Sequence, residues 1–126
     1  FAEKKATSGA REQSFNMFSL TDALGARDKK RLWVLYQQAL FSGAQPEEIH
    51  GILFWQVKSM IVASESGSAA ASGLKPFVYQ KSRGFASRFS PEELRAISGS
   101  LVDIYHNARR GICDMDTALE KFVLGV

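Results

Sequence analysis

From Leu32 to Phe41 the chain reads Leu-Trp-Val-Leu-Tyr-Gln-Gln-Ala-Leu-Phe, apolar but for its two glutamines. Ile49 to Ala63 repeats the pattern with Ile49, Ile52, Leu53, Phe54, Trp55, Val57, Met60, Ile61 and Val62. A helix that covers one side of a core needs a single apolar stripe, at i, i+3, i+4, i+7 spacing. The first segment carries two, Leu32/Leu35/Ala39 and Trp33/Tyr36/Leu40. Either these segments are the innermost helices of a bundle, or they turn a surplus apolar face toward another protein.

The rest of the chain supplies shorter elements. Residues 1–13 are small and polar with no sustained apolar period, the pattern of a linker or frayed end. Order is expected from Ser14, where Phe15, Phe18 and Leu20 lead a short helix that Gly25 stops. A second helix is expected to start between Ala26 and Lys29, with Asp28 near its N-terminus, and to end at Gly43. Pro46, followed by Glu47 and Glu48, suits the first turn of a third helix that runs to about Ser64. Glu65 to Gly73 is a run of small residues and reads as a loop. Pro76 opens a further helical stretch, Phe77 to Arg88, with Gly84 inside it.

The strongest local signal is Ser90-Pro91-Glu92-Glu93: a serine cap, proline at the first helical position and glutamate at the third. Leu94, Ile97, Leu101, Ile104 and Ala108 then recur at helical spacing until Gly111. Asp114 or Asp116 is placed to cap a last helix whose Ala118, Leu119, Phe122 and Val123 face inward. No segment sustains the period-2 alternation of a strand. The pattern predicts an all-α bundle of five or six helices over residues 14–126.

Composition narrows the class. At 126 residues, 45% hydrophobic and 23% charged, the chain suits one globular domain. Cys113 stands alone, so it forms no internal disulfide and suits a reducing compartment. No apolar run approaches the roughly 20 residues that span a bilayer, and Phe1-Ala2-Glu3-Lys4-Lys5 carries no signal-peptide core. Without an initiator methionine it reads as a piece of a longer protein. A net charge of +3 is mildly basic and does not by itself make a nucleic-acid binder.

Candidate chemistry is sparse. His50 and His106 fall on different helices, each expected as a partly exposed helix residue, and no zinc-like spacing occurs. Phosphate-cradling and nucleophile-elbow motifs are missing, so no catalytic, metal or cofactor residue is assigned. Two basic clusters remain. Arg27-Asp28-Lys29-Lys30-Arg31 opens a helix, the unfavourable end for cations, which points to a partner contact or a solvated turn. Arg109-Arg110 closes a helix beside Tyr105. Arginine pairs with phosphate and tyrosine stacks on bases, so Tyr105, Arg109 and Arg110 are candidate DNA contacts.

A longer correspondence runs through the chain. Its first stretch is Phe18-Ser19-Leu20-Thr21-Asp22-Ala23-Leu24-Gly25-Ala26-Arg27-Asp28-Lys29-Lys30, then Leu35, Ser42-Gly43, and Pro46 leading into Ile49, Leu53, Gln56 and Met60. Its second is Lys75-Pro76-Phe77-Val78 with Lys81, Ala86, Phe89-Ser90 and Glu93-Leu94. Arg109-Arg110-Gly111, Ala118-Leu119-Glu120 and Val123-Leu124 close it. In order and spacing these residues resemble the C-terminal domain of the delta subunit of bacterial DNA polymerase III, part of the sliding-clamp loader. Tyr105 departs from the pattern, standing where an acidic residue is expected.

The resemblance implies a helical collar domain, one of five that hold delta, three gamma/tau-type ATPase subunits and delta-prime in one ring. It implies a cytoplasmic, non-catalytic domain of a subunit that hydrolyses no ATP and needs no cofactor. That subunit's clamp-opening module precedes the collar, and DNA passes nearby. Trp33, Tyr36, Leu40, Phe54, Trp55 and Ile61 are then candidate subunit-interface residues, and periodicity leaves open which of them face the core. The alternatives are a stand-alone basic helical domain that binds DNA or RNA and a self-associating helical scaffold.

Overall fold

A computed structural model describes residues 16–126. The linker expected over residues 1–13, and the start of order expected at Ser14 and Phe15, lie outside the described residues. Seven helices make up the described chain, with no strand among them: α1 (Phe18–Gly25), α2 (Lys29–Phe41), α3 (Pro46–Glu65), α4 (Ala69–Ser72), α5 (Pro76–Ala86), α6 (Pro91–Arg109) and α7 (Met115–Gly125). Six match the expected elements. The seventh, α4, is one turn inside the predicted small-residue loop, where the Ser68 side chain accepts from the Ala71 amide at 3.2 Å.

Local chemistry sets most helix starts. Asp28 caps α2, its carboxylate accepting from the Arg31 amide at 3.1 Å. Glu48 reaches back to the Gln45 amide at 2.9 Å, and Pro46 stands where no intrahelical donor is needed. At α6 the capping box is reciprocal: Ser90 Oγ accepts from the Glu93 amide at 3.0 Å, and Glu93 Oε1 accepts from the Ser90 amide at 2.8 Å. Gly111 ends this helix with φ at +75°, the left-handed region that favours glycine. Asp114 occupies the N-cap position of α7 without a side-chain bond to it; Asp116, the other expected cap, accepts instead from the Thr117 amide at 2.8 Å.

Helix α3 is the axis of the bundle and touches each of the other described helices. Its buried arc, Ile49, His50, Leu53, Gln56, Val57, Ser59, Met60 and Ala63, is wider than one stripe because neighbours cover it on several sides. Around it pack Leu20, Ala23 and Leu24 of α1, Leu94 and Leu101 of α6, and Leu119 and Val123 of α7. Helix α2 packs chiefly on α1 and α7 and buries only Leu32, Tyr36 and Ala39. So the apolar excess has two causes: α3 is innermost, whereas α2 lies at the edge with a face to spare.

Gly25 ends its helix, as expected, and has a second role. It is the last, buried residue of α1, and a Cβ there would overlap the Phe85 ring of α5. The glycine lets the two helices approach. Helix α5 runs unbroken through Gly84.

Candidate functional site

The expected interface residues separate by depth. Tyr36 is wholly buried, and its hydroxyl donates to the Asp116 carbonyl at 2.7 Å. Burial, with the negative charges of Asp116 and Glu120, pushes its pKa up to about 12. Tyr36 is therefore a core residue that ties α2 to α7 and presents no surface to a partner. Trp33, Leu40, Phe54 and Ile61 are half-buried against the core, and the Trp33 indole N–H is buried with no acceptor.

Two residues outside the expected interface set are more accessible. Phe41 is 94% exposed and Val34 41%. Lys30, Val34, Gln38 and Phe41 form one solvent-facing stripe of α2. The uniform apolarity of α2 hid this phase.

Trp55 sits on the rim of a groove between α1, α3 and α5. Phe18 and Phe77 share that rim, while Thr21, Gln56, Val78 and Ser82 line it. The groove holds about 330 Å³. Phe18 and Trp55 meet edge to face, with centroids 6.2 Å apart, and Lys81 pairs with Asp22 at 2.8 Å beside them.

The candidate DNA-contact residues are partly brought together. Arg109 lies one turn beyond Tyr105 on α6, its Nη1 donating to the Tyr105 hydroxyl at 3.2 Å and its guanidinium 5.6 Å from the ring centroid. Arg110 is exposed at the C-cap of that helix. The Tyr105 ring also packs beside His50 at 5.9 Å and His106 at 5.7 Å, on a cleft of about 450 Å³ between α3 and α6.

His50 departs from expectation. It is only 8% exposed, and its Nε2 lies 2.7 Å from the Leu101 carbonyl. A carbonyl only accepts, so Nε2 carries the proton and the ring pins α3 to α6. His106 is exposed, as expected.

The basic cluster at the start of α2 is not wholly available either. Arg27 adopts φ +58° and lies back along the domain surface: its guanidinium donates to Glu93 at 3.1 and 3.0 Å and to the Arg88 carbonyl at 2.9 Å, and lies 4.5 Å from the Phe89 centroid. Its charge is spent within the domain. Lys29, Lys30 and Arg31 remain exposed, beside the compensating Asp28 cap. Among the described residues no three His, Cys, Asp or Glu side chains converge on a metal-sized site, and no helix is long and apolar enough to cross a membrane.

By fold this is an all-helical bundle domain whose accessible features are an apolar helix face and two shallow clefts. The family model for the DNA polymerase III delta subunit, C-terminal domain, matches residues 14–126. The chain belongs to that family, which makes it a delta-like clamp-loader component. No curated protein and no solved structure matches it at a significant level.

Proposed function

We propose that this domain is an assembly piece: it holds a delta-like subunit in the collar of a clamp loader by packing against gamma/tau-type ATPase and delta-prime neighbours. The observation that supports this best is Phe41, an aromatic side chain 94% exposed in a domain whose core is already filled. With Val34 on the same stripe, and Trp33 and Leu40 half-buried next to it in sequence, it makes an apolar patch on an edge helix. Aromatic anchors of this kind dominate interface energetics. Contact with the sliding clamp then belongs to a module outside this chain, and the work goes on in the cytoplasm at the replication fork.

The test is light scattering after size-exclusion chromatography of the chain with the collar domains of its cognate ATPase and delta-prime subunits. A stable mixed complex that Phe41→Asp abolishes supports the reading. A chain that ignores both partners refutes it.

A second reading rests on Tyr105 and Arg109, a guanidinium held over an exposed ring with Arg110 next to it. Here this end of α6 touches the DNA that the loader embraces. Arg110→Ala should then weaken binding of primed template and reduce the salt slope by about one. Tight binding of duplex or single strand by the isolated chain at physiological salt would instead favour a stand-alone nucleic-acid-binding domain.

A further inference from the structure

The groove between α1, α3 and α5 has a feature that its neighbours do not require. Gln56 is only 4% exposed, lines the groove, and its Nε2 has no acceptor among the described residues. Buried amide donors are almost always paired, and this one is sealed from solvent, so an acceptor from outside meets it once the Gln56 side chain turns toward the groove. A carboxamide is the complement of a peptide group, donating to its C=O and accepting from its N–H. A helix uses these groups internally, so the matching backbone is extended.

The remaining features describe the rest of the occupant. Phe18, Trp55 and Phe77 are 55%, 38% and 74% exposed around the mouth. A volume of about 330 Å³ lies at the small end of ligand sites and suits one bulky side chain. Charge adds direction. Lys81 stands on the rim, exposed Lys58 lies one turn from Trp55, and exposed Lys75 immediately precedes Pro76 and Phe77. Among the described residues the rim sets one carboxylate against them, Asp22, whose pairing with Lys81 leaves the positive balance to Lys58 and Lys75. Phe18 and Trp55 meet edge to face rather than as a parallel pair between which a base would slide.

We propose that this groove docks an acidic, extended peptide segment of a partner protein, which inserts one bulky apolar side chain between Phe18, Trp55 and Phe77 and pairs its backbone with Gln56. The proposal goes beyond assembly of the ring: it gives the domain a linear ligand, on helices other than the Phe41 face, and it holds or fails on the chain alone.

The experiment pans a random linear-peptide library against the full 126-residue chain, then titrates synthetic copies of the enriched peptides by fluorescence anisotropy and backbone-amide NMR. The expected consensus is a Leu, Ile, Phe or Trp flanked by Asp or Glu, with shifts centred on Thr21, Gln56, Val78 and Ser82. Gln56→Met keeps the shape and should weaken binding about tenfold, the effect of stranding one polar group. Phe77→Ala and Lys75→Glu alter exposed positions, spare the fold and should weaken it as well. The proposal is overturned if no peptide is enriched, if the consensus is neutral or basic, if shifts fall elsewhere, or if Gln56→Met binds equally. It is also overturned if an oligo-dT single strand shifts the same amides and displaces the peptides, which would assign the groove to nucleic acid.

Discussion

The guanidinium of Arg27 closes on the carboxylate of Glu93 through two near-parallel hydrogen bonds, Nη1 to Oε1 at 3.1 Å and Nη2 to Oε2 at 3.0 Å. That carboxylate also caps α6 at Ser90, so one side chain joins the α1–α2 turn to the start of a distant helix. Fork-to-carboxylate geometry of this kind is harder to replace than a point charge, and Lys at position 27 would not reproduce it.

The pair makes stability depend on acid. The Arg27 hydrogen bond, followed by the Ser90 amide, holds the Glu93 pKa below its ordinary value. A carboxylate whose folded pKa is depressed contributes above its unfolded pKa and loses that contribution as pH falls through the folded value. Glu93→Gln should melt earlier than the parent at pH 7 and converge toward it in strong acid, whereas Arg27→Ala should keep a residual deficit there, having also lost the Arg88 carbonyl bond and the Phe89 contact. Thermal melts across an acid series check this. Equal deficits at every pH would show that the charge pair is not the cause.

Gly25→Ala should destabilise the fold by about 1–3 kcal/mol, because the added methyl overlaps the Phe85 ring at the crossing of α1 and α5. Urea denaturation of the single variant measures the cost. In a Phe85→Ala background the same substitution should cost much less, since alanine lacks the Cγ and Cδ atoms that the added methyl meets.

Tyr36→Phe removes a buried hydrogen bond to the Asp116 carbonyl and should cost about 1 kcal/mol near neutrality. Its alkaline signature has a definite sign. Raising the folded pKa from 10.0 to about 12 favours the neutral phenol in the folded state. The unfolded chain therefore releases that proton first, and stability falls as pH rises from 10.0 toward 12. The Phe variant should lack this component in guanidinium titrations at rising pH.

Phe41→Asp should leave the isolated domain within about 0.5 kcal/mol of the parent, as exposed substitutions usually do, yet abolish mixed complexes. Leu101→Ala, on a wholly buried position of α6, should cost about 2–5 kcal/mol through loss of packing. Circular dichroism with chromatography separates the two. If Phe41→Asp assembles normally, the α2 face is not the interface.

What was legible in the sequence was local. Ser90 and Glu93 lie three residues apart and write their capping box in plain order, and Asp28 and Pro46 mark helix starts in the same way. The phase of α2 was not legible, because a helix apolar on every side gives no contrast from which to read direction. Tyr36 and Trp55 look alike in the sequence, although one is sealed in the core and the other sits on a groove rim. Long-range ties were invisible for another reason: Arg27 finds its partners 61 and 66 residues away, and His50 finds the Leu101 carbonyl across 51. In the sequence Gly25 signals only a helix end, whereas its small volume is what the packing uses.

The position of α3 carries one more consequence. Every other described helix touches it, as staves touch a mast, and α2 is tied to it further through α1 and α7, so the helices share one support. Heating the chain should give a single transition rather than a sequence of partial ones. The groove at Gln56 and the cleft at His50 both open onto this mast. A molecule that settles in either place braces the entire bundle, and one melting curve becomes a gauge for guests at both.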